Sequence, residues 1–410
     1  MKPIREAVRG RTIFTAALAL GALFTVPFQS ARGASAPLHA LVVGGGPDFD
    51  HNQAAIESNV RYVTRLLPPG ATERILFADG SRQTKDVLCL DKNGNEYYRT
   101  PMLPVIDGPT RLLPFQREVE TAAPVAGDNP ASLLLYFTGH GSPNRESNFE
   151  NNQYDMWNAD ALNVQRLASD IDALPASLPV TVIMVQCFSG AFGNLLFQNG
   201  DPKAPLTNRD ICGFFASISQ RPAAGCTPEV NEANYRDFTG YFFAALTGTD
   251  RLGHHVGDAD YNHDGRVGMD EAFAYTLIHD HSIDTPVCTS DVFLRRFVKD
   301  TDEQVFKTSY AQVRAWASPA QRTALDSLSK TLMFRDDARL PKAFAAMKGM
   351  EVESDDPGDI ATIRFARLAK SVVLAHSLSI SSDKEIKDRY AALLASEARN
   401  PLRPEPKKLT

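Results

Sequence analysis

The 410-residue sequence is sparing with cysteine and tryptophan, having five of one and two of the other. Five cysteines in so long a chain exclude a small fold held together by a disulfide framework. Basic residues are not in excess. Lys and Arg number 43 against 49 Asp and Glu, a net charge of -6, so the basic footprint that nucleic-acid binding requires is missing. Beyond residue 36 no apolar run is long enough to span a bilayer. There are no internal repeats. Gly44-Gly45-Gly46 follows an apolar run but has neither the G-x-G-x-x-G spacing nor a Walker lysine, which argues against a nucleotide loop. The residues around Cys187 do not fit G-x-S-x-G, which argues against a serine hydrolase. The remainder is ordinary globular material, 43% hydrophobic and 22% charged, and its length suits two or three domain-sized units.

The first 36 residues differ from the rest. Lys2, Arg5, Arg9 and Arg11 precede an apolar run from Thr12 to Phe28, and small residues follow at Ala31, Gly33, Ala34, Ser35 and Ala36. This is the layout of a secretory signal peptide cut between Gly33 and Ala36. It predicts a secreted or periplasmic protein with no integral membrane segment after cleavage. Losing residues 1–36 removes five basic residues and only Glu6 among the acids, so the mature chain is more acidic still. The cysteines Cys89, Cys187, Cys212, Cys226 and Cys288 are odd in number, which leaves one thiol free in an exported chain. If Cys187 is that thiol, the other four allow three pairings. Cys212 with Cys226 closes the shortest loop.

Hydrophobic patterning divides the chain in two. Leu38–Gly44, Arg74–Ala78, Ser132–Thr138, Val180–Gln186 and Gly213–Ser219 are strand-like, mostly apolar throughout. Helical periodicity falls at 53–67, 159–174 and 236–247. Such strands alternating with helices indicate an α/β layer with a mostly parallel sheet. Residues 81–130 are rich in turn signals, and 148–158 reads as an Asn-rich loop. After about residue 290 strand patterns stop. Capping boxes at Ser318 and Ser382 and an apolar face through Phe365, Leu368 and Val372 predict a helical region over 290–410.

Two segments carry the chemistry. Thr138-Gly139-His140-Gly141-Ser142 and Gln186-Cys187-Phe188-Ser189-Gly190 each follow a buried strand directly. Strand ends of that kind hold the active sites of open α/β sheets. A single strand–helix–strand crossover between them brings His140 and Cys187 to one sheet edge. A thiolate is the nucleophilic form of cysteine, and a neighbouring imidazole can take the thiol proton and later protonate a leaving group. The backbone N–H groups of Gly141 and Cys187 can face a developing oxyanion. Alone, a Cys ending an apolar strand is ordinarily core and a His-Gly ordinarily a turn. Their joint placement favours catalysis.

Residues 133–142 (LLLYFTGHGS) and 181–193 (TVIMVQCFSGAFG) resemble the two catalytic segments of caspase-like cysteine peptidases, most nearly those of the legumain branch. The likeness extends to VVGGGPDFDHNQA (42–54), RILFADG (74–80), FFASISQRPAAGC (214–226) and YRDFTGYFFAAL (235–246), covering residues 38 to about 250. It implies a caspase-like α/β/α sandwich at 37–289 with the helical region appended. It also implies a cysteine endopeptidase acting on peptide or protein substrates, and able in principle to ligate peptides. By the resemblance Cys187 is the nucleophile, His140 the catalytic His and Gly141 an oxyanion donor. His51, Ser217, Ser219 and Asp237 border the substrate. Legumains carry an acid two places before the nucleophile, where Val185 stands here, and Arg-His where His51-Asn52 stands. Gln186 directly before Cys187 likewise departs from the caspase Gln-Ala-Cys. In legumains a C-terminal helical segment covers the site until removed, which gives an expectation for 290–410.

A third motif runs from Asp260 to Glu271 and fits D-x-[DN]-x-[DN]-G-x5-E. Asp260, Asn262, Asp264 and Glu271 supply side-chain oxygens, Arg266 a carbonyl, and Gly265 the sharp turn of a Ca2+ loop. An acidic turn before a capped helix is the plainer reading. His254, His255, His279 and His281 flank the loop. They are ordinary surface histidines unless they gather around a transition metal. The rival to an enzyme is a catalytically dormant, calcium-dependent binding or scaffold module on a peptidase fold.

Overall fold

The computed structural model describes residues 38–122, 132–144, 148–335, 337–348, 350 and 354–403. The segment 1–36, read above as a signal peptide, lies outside them. Among the described residues no helix is long and apolar enough to cross a membrane.

In chain order the first half runs β1 (Leu38–Gly45), α1 (Ala54–Leu66), β2 (Thr72–Phe77), the hairpin β3 (Val87–Leu90) and β4 (Glu96–Arg99), α2 (Leu112–Thr121), β5 (Ser132–Ser142), β6 (Gln153–Asp155), β7 (Ala161–Asn163), α3 (Val164–Asp172), β8 (Val180–Met184), β9 (Ile211–Phe215), α4 (Phe238–Thr247), α5 (Met269–His279) and β10 (Val287–Cys288). The main sheet has the order β10-β9-β8-β5-β1-β2. Every pair is parallel except β10 with β9.

The central strands are apolar on both faces because both faces are covered. Neighbouring residues of a strand point to opposite sides, and β5 shows the consequence. Tyr136 packs edge-on to Phe243 of α4 at 5.5 Å, while Phe137 meets Phe115 of α2 at 5.6 Å. The sheet is the middle layer of an α/β/α sandwich, as the strand patterns predicted.

Two local readings change. The expected helix at 159–174 begins only at Val164, because Ala161–Asn163 pairs with β6. Asn163 then caps α3 by accepting the Arg166 N–H at 2.9 Å. The unassigned stretch 81–130 contains the β3–β4 hairpin and α2.

The second half is helical, as expected: α6 (Thr289–Phe297), α7 (Asp302–Phe306), α8 (Tyr310–Trp316), α9 (Pro319–Thr331), α10 (Arg339–Lys348), α11 (Pro357–Ser379) and α12 (Lys384–Glu397). The Ser318 capping box forms with Gln321, and Pro319 opens α9. The expected box at Ser382 does not form. Asp383, not Ser382, caps α12 by accepting the Ile386 N–H. All described residues fall within one compact unit. Helix α11 is buried at Phe365, Ala366, Ala369 and Val372. That buried face packs against the rest of the fold.

Candidate active site and calcium loop

Strand register builds the site. Phe137 pairs with Met184 on the last rung between β5 and β8. Three residues further on stand His140, still within β5, and Cys187, in the turn that follows β8, so both lie at the carboxyl edge of the sheet. Both are half-buried. Glycine is required between them. A Cβ at Gly141 would fall 2.5 Å from the Cys187 carbonyl oxygen, and one at Gly139 (φ +152°) would fall 2.4 Å from the Gly45 carbonyl oxygen.

Phe188, directly after Cys187, holds a left-handed φ of 60°, which is costly for a side chain of that bulk. The surroundings fix it. Its N–H donates to the Arg221 carbonyl at 2.9 Å, and its carbonyl accepts from Asn152 Nδ2 at 3.2 Å. The same Asn152 amide donates to the Ser219 carbonyl at 2.8 Å, and its Oδ1 accepts the Asn144 N–H at 3.2 Å. One fully buried side chain thus ties three loops around the thiol.

Burial pushes the Cys187 thiol above its usual value. The Ala223 N–H, which donates to its sulfur at 3.3 Å, opposes that shift, while the charges of Asp284 and Asp155 add to it. Burial, and then the neighbouring His51, hold the His140 imidazole below its usual value, against the pull of Asp155. Both shifts favour the uncharged forms, the thiol and the neutral imidazole. His140 Nε2 lies 2.9 Å from Gln53 Oε1. Asp155 stands opposite His140 in the β5–β6 ladder and accepts from Ser142 Oγ at 2.7 Å.

The expected substrate-bordering residues separate. His51 is exposed, bonded to Asp48 at 2.6 Å, and lies edge-on to His140 with ring centres 5.4 Å apart. Ser219 is half-buried, with its carbonyl committed to Asn152. Ser217 does not line an open cleft. It is fully buried, its hydroxyl donating to the Pro222 carbonyl at 2.8 Å and meeting Thr285 Oγ1 at 3.1 Å. Asp237 is likewise no free pocket acid. It is 2% exposed, caps α4 through the Gly240 N–H, and binds Arg251 Nη2 at 2.9 and 3.1 Å.

Five positions near the site carried no usable sequence signal: Gln53, Asn152, Asp155, Ala223 and Asp284. Asp155 sits in a three-residue strand inside the Asn-rich stretch, too short to show periodicity. Asp284 is buried and accepts the Ala224 N–H at 2.6 Å and the Phe238 N–H at 3.0 Å. It holds the loop that delivers Ala223 to the thiol. Burial first and Asp280 second drive the Asp284 carboxyl far above the usual range. Arg364 of α11 then fixes the adjoining loop, donating to the carbonyls of Asp280, Ser282 and Asp284.

All five cysteines are free thiols. The Cys212–Cys226 pairing is not formed, and the sheet explains why. Cys212 is level with Thr181, which pairs with Leu134 near the start of β5. The Cys226 sulfur donates to the Gly139 carbonyl at 3.3 Å, at the far end of that strand. Five rungs amount to about 16 Å, beyond the reach of a disulfide.

The Asp260–Glu271 loop is folded onto its own amides. Asp260 accepts the N–H groups of Asp264 at 3.1 Å and Gly265 at 2.9 Å, and Asn262 Oδ1 accepts that of Asp264 at 2.8 Å. Glu271 reaches back to the N–H groups of Asn262 and Gly268 at 3.0 and 3.1 Å. Gly265 takes φ +87°. Among the described residues no group of three or more His, Cys, Asp or Glu side chains is gathered for a metal, so the four histidines form no such site. The loop's donor set nonetheless suits a hard cation, being all oxygen with three carboxylates. Burial and the charges of Asp260 and Asp264 raise the Glu271 carboxyl, a repulsion that a cation would relieve. The loop is anchored to the end of the chain, since the Asn400 amide donates to the Val267 and Leu246 carbonyls.

No family model matches the chain, and no curated protein matches it. Among solved structures it is similar to protein GSU0716 from Geobacter sulfurreducens. The identity is 14%, over 62% of this chain and 92% of that one, with a TM-score of 0.36. A likeness so remote does not bear on the site's chemistry.

Proposed function

We propose that the chain is an exported cysteine endopeptidase of caspase-like type, working through Cys187 and His140. The observation that supports this reading is the parallel pairing of β5 with β8, which brings the His140 and Cys187 segments to the same carboxyl edge of the sheet. His140 takes the Cys187 proton as the sulfur bonds to a peptide carbonyl carbon. The oxyanion faces the backbone N–H groups of Gly141 and Cys187. As the tetrahedral adduct collapses, the C–N bond breaks and His140 returns the proton to the departing amine. Water, deprotonated by His140, then releases the acid from the thioester. An amine in its place would give peptide ligation. His51, exposed beside His140, is the side chain best placed to meet the substrate.

Calcium would be held by Asp260, Asn262, Asp264, the Arg266 carbonyl and Glu271. Once bound it neutralises their charge and stiffens the loop that joins α5 to the chain's end. An N-terminal export signal fits a loop of this kind, which in secreted modules is tuned to extracellular calcium.

The test is turnover of a mixed peptide library by the mature chain, with calcium or chelator, beside Cys187→Ala. Cleavage that disappears in the variant supports the peptidase. A silent wild type whose Cys187 resists electrophilic peptides rejects it in favour of a dormant calcium-dependent binding module.

A further inference from the structure

A cavity of about 580 Å³ lies away from the Cys–His pair, between the sheet and the C-terminal helices. That volume is within the range of small-molecule sites. Its walls include Phe214 of β9, Phe273 and Leu277 of α5, Trp316 of α8, Leu368 of α11 and Tyr390 of α12. They come from both halves of the chain, so the space belongs to the complete fold.

The charges on the wall are not balanced. Arg364 is fully used by three loop carbonyls and by Asp280 at 3.4 Å. Arg367 binds Asp291 at 2.8 Å, and Arg295 binds the same carboxylate. Two carboxyl groups remain on the wall, Glu397 and Asp270. Glu397 is 2% exposed, and its Oε1 accepts Thr289 Oγ1 and the Ser290 N–H, both at 2.7 Å. Among the described residues neither acid has a cation within ion-pair distance. A buried carboxylate without a counter-charge is unstable, and burial accordingly pushes the Glu397 carboxyl up to about 7.

We infer that this cavity is a binding site for a hydrophobic amine, an apolar body carrying one cationic nitrogen that pairs with Glu397. The walls take the apolar body and the carboxyl takes the ammonium. No bond is made or broken. This inference is independent of the peptidase reading, because neither Cys187 nor His140 lines the cavity.

Trp316 reports occupancy from the wall, and Trp157 stands outside the cavity beside Phe49. The experiment titrates octylamine, octanoate and octanol, below their aggregation limits, into the full chain carrying Trp157→Phe. Trp316 fluorescence is read, with calorimetry alongside. The expected result is saturable binding of octylamine at least about ten-fold tighter than of octanol, the size of one charge-assisted contact, with octanoate weakest. Glu397→Gln keeps an acceptor for Thr289 and Ser290 and is expected to remove the amine's advantage while leaving octanol unchanged. Ala375→Phe, which fills the cavity, is expected to abolish binding of all three. Circular dichroism confirms that each variant is folded. If either variant does not fold, competition among the three ligands on the unsubstituted cavity decides. Non-saturable quenching, equal affinity for the three ligands, or full binding by folded Ala375→Phe would overturn the inference.

Discussion

The carboxyl edge of the sheet and the helical half treat their polar groups in opposite ways. At the sheet edge His140 and Cys187 are half-buried, neutral, and steadied mainly by backbone amides and a carboxamide. In the helical half, Glu397 apart, enclosed full charges are matched. Asp291 binds Arg295 and Arg367, and burial lowers Arg367 to about 10. The first arrangement leaves the groups free to exchange protons. The second fixes geometry, since an unpaired charge there would be very costly. The helical half is therefore the frame of the site. Through Arg364 it holds the loop that positions Ala223 against the thiol.

The sharpest way to break this contrast is truncation. A chain ending at Ser354 loses α11 and α12 and exposes Phe214 and the α5 core. It is expected to lose cooperative unfolding altogether, as followed by circular dichroism on heating. A truncated chain that melts cooperatively and cleaves peptides would restore the removable cover that legumain resemblance suggests. Next in size is Cys187→Ala. Peptide turnover should fall by about 10³-fold or more, while the melting temperature stays within a few degrees, because the site contributes little to the frame.

Asp237→Ala tests the frame within the first half. It strands Arg251 in the core, and denaturant unfolding should show a loss of about 4 kcal/mol. Glu397 gives a pH signature. Its folded value, about 7, is above the ordinary 4.5, so the native state holds the extra proton. Stability is then greatest below pH 4.5 as far as this group is concerned. It declines as pH rises towards 7, by about 3 kcal/mol. Glu397→Gln should flatten that slope in denaturant titrations. The smallest effect is expected from Asp155→Asn. Its charge raises the His140 value against burial, so removing it should shift the acid limb of the rate profile to lower pH, with little change in the plateau.

The sequence showed the parts of this molecule that depend on long apolar runs. The runs Ser132–Thr138 and Val180–Gln186 announced buried parallel strands, the second of which ends two residues early at Met184, and the His-Gly and Cys segments fall at one edge of the sheet as expected. What stayed hidden depends on contacts between distant residues. Asn152 looks like any loop asparagine until its amide is seen across Phe188 and Ser219. Asp237 looked like a pocket acid because a sequence gives no sign of Arg251 lying against it. Cys212 and Cys226 are close in sequence, yet the length of the sheet separates them.

The shared sheet edge of His140 and Cys187 also has an evolutionary consequence. Because Asn152 and Asp155 lie in the crossover between β5 and β8, only the parts of it away from those two residues can lengthen or shorten without disturbing the pair. What cannot change is the count from the last rung to each residue. Distant kin of this chain are therefore better sought by the distance of a histidine and a cysteine from the ends of two hydrophobic strands than by the spacing between them.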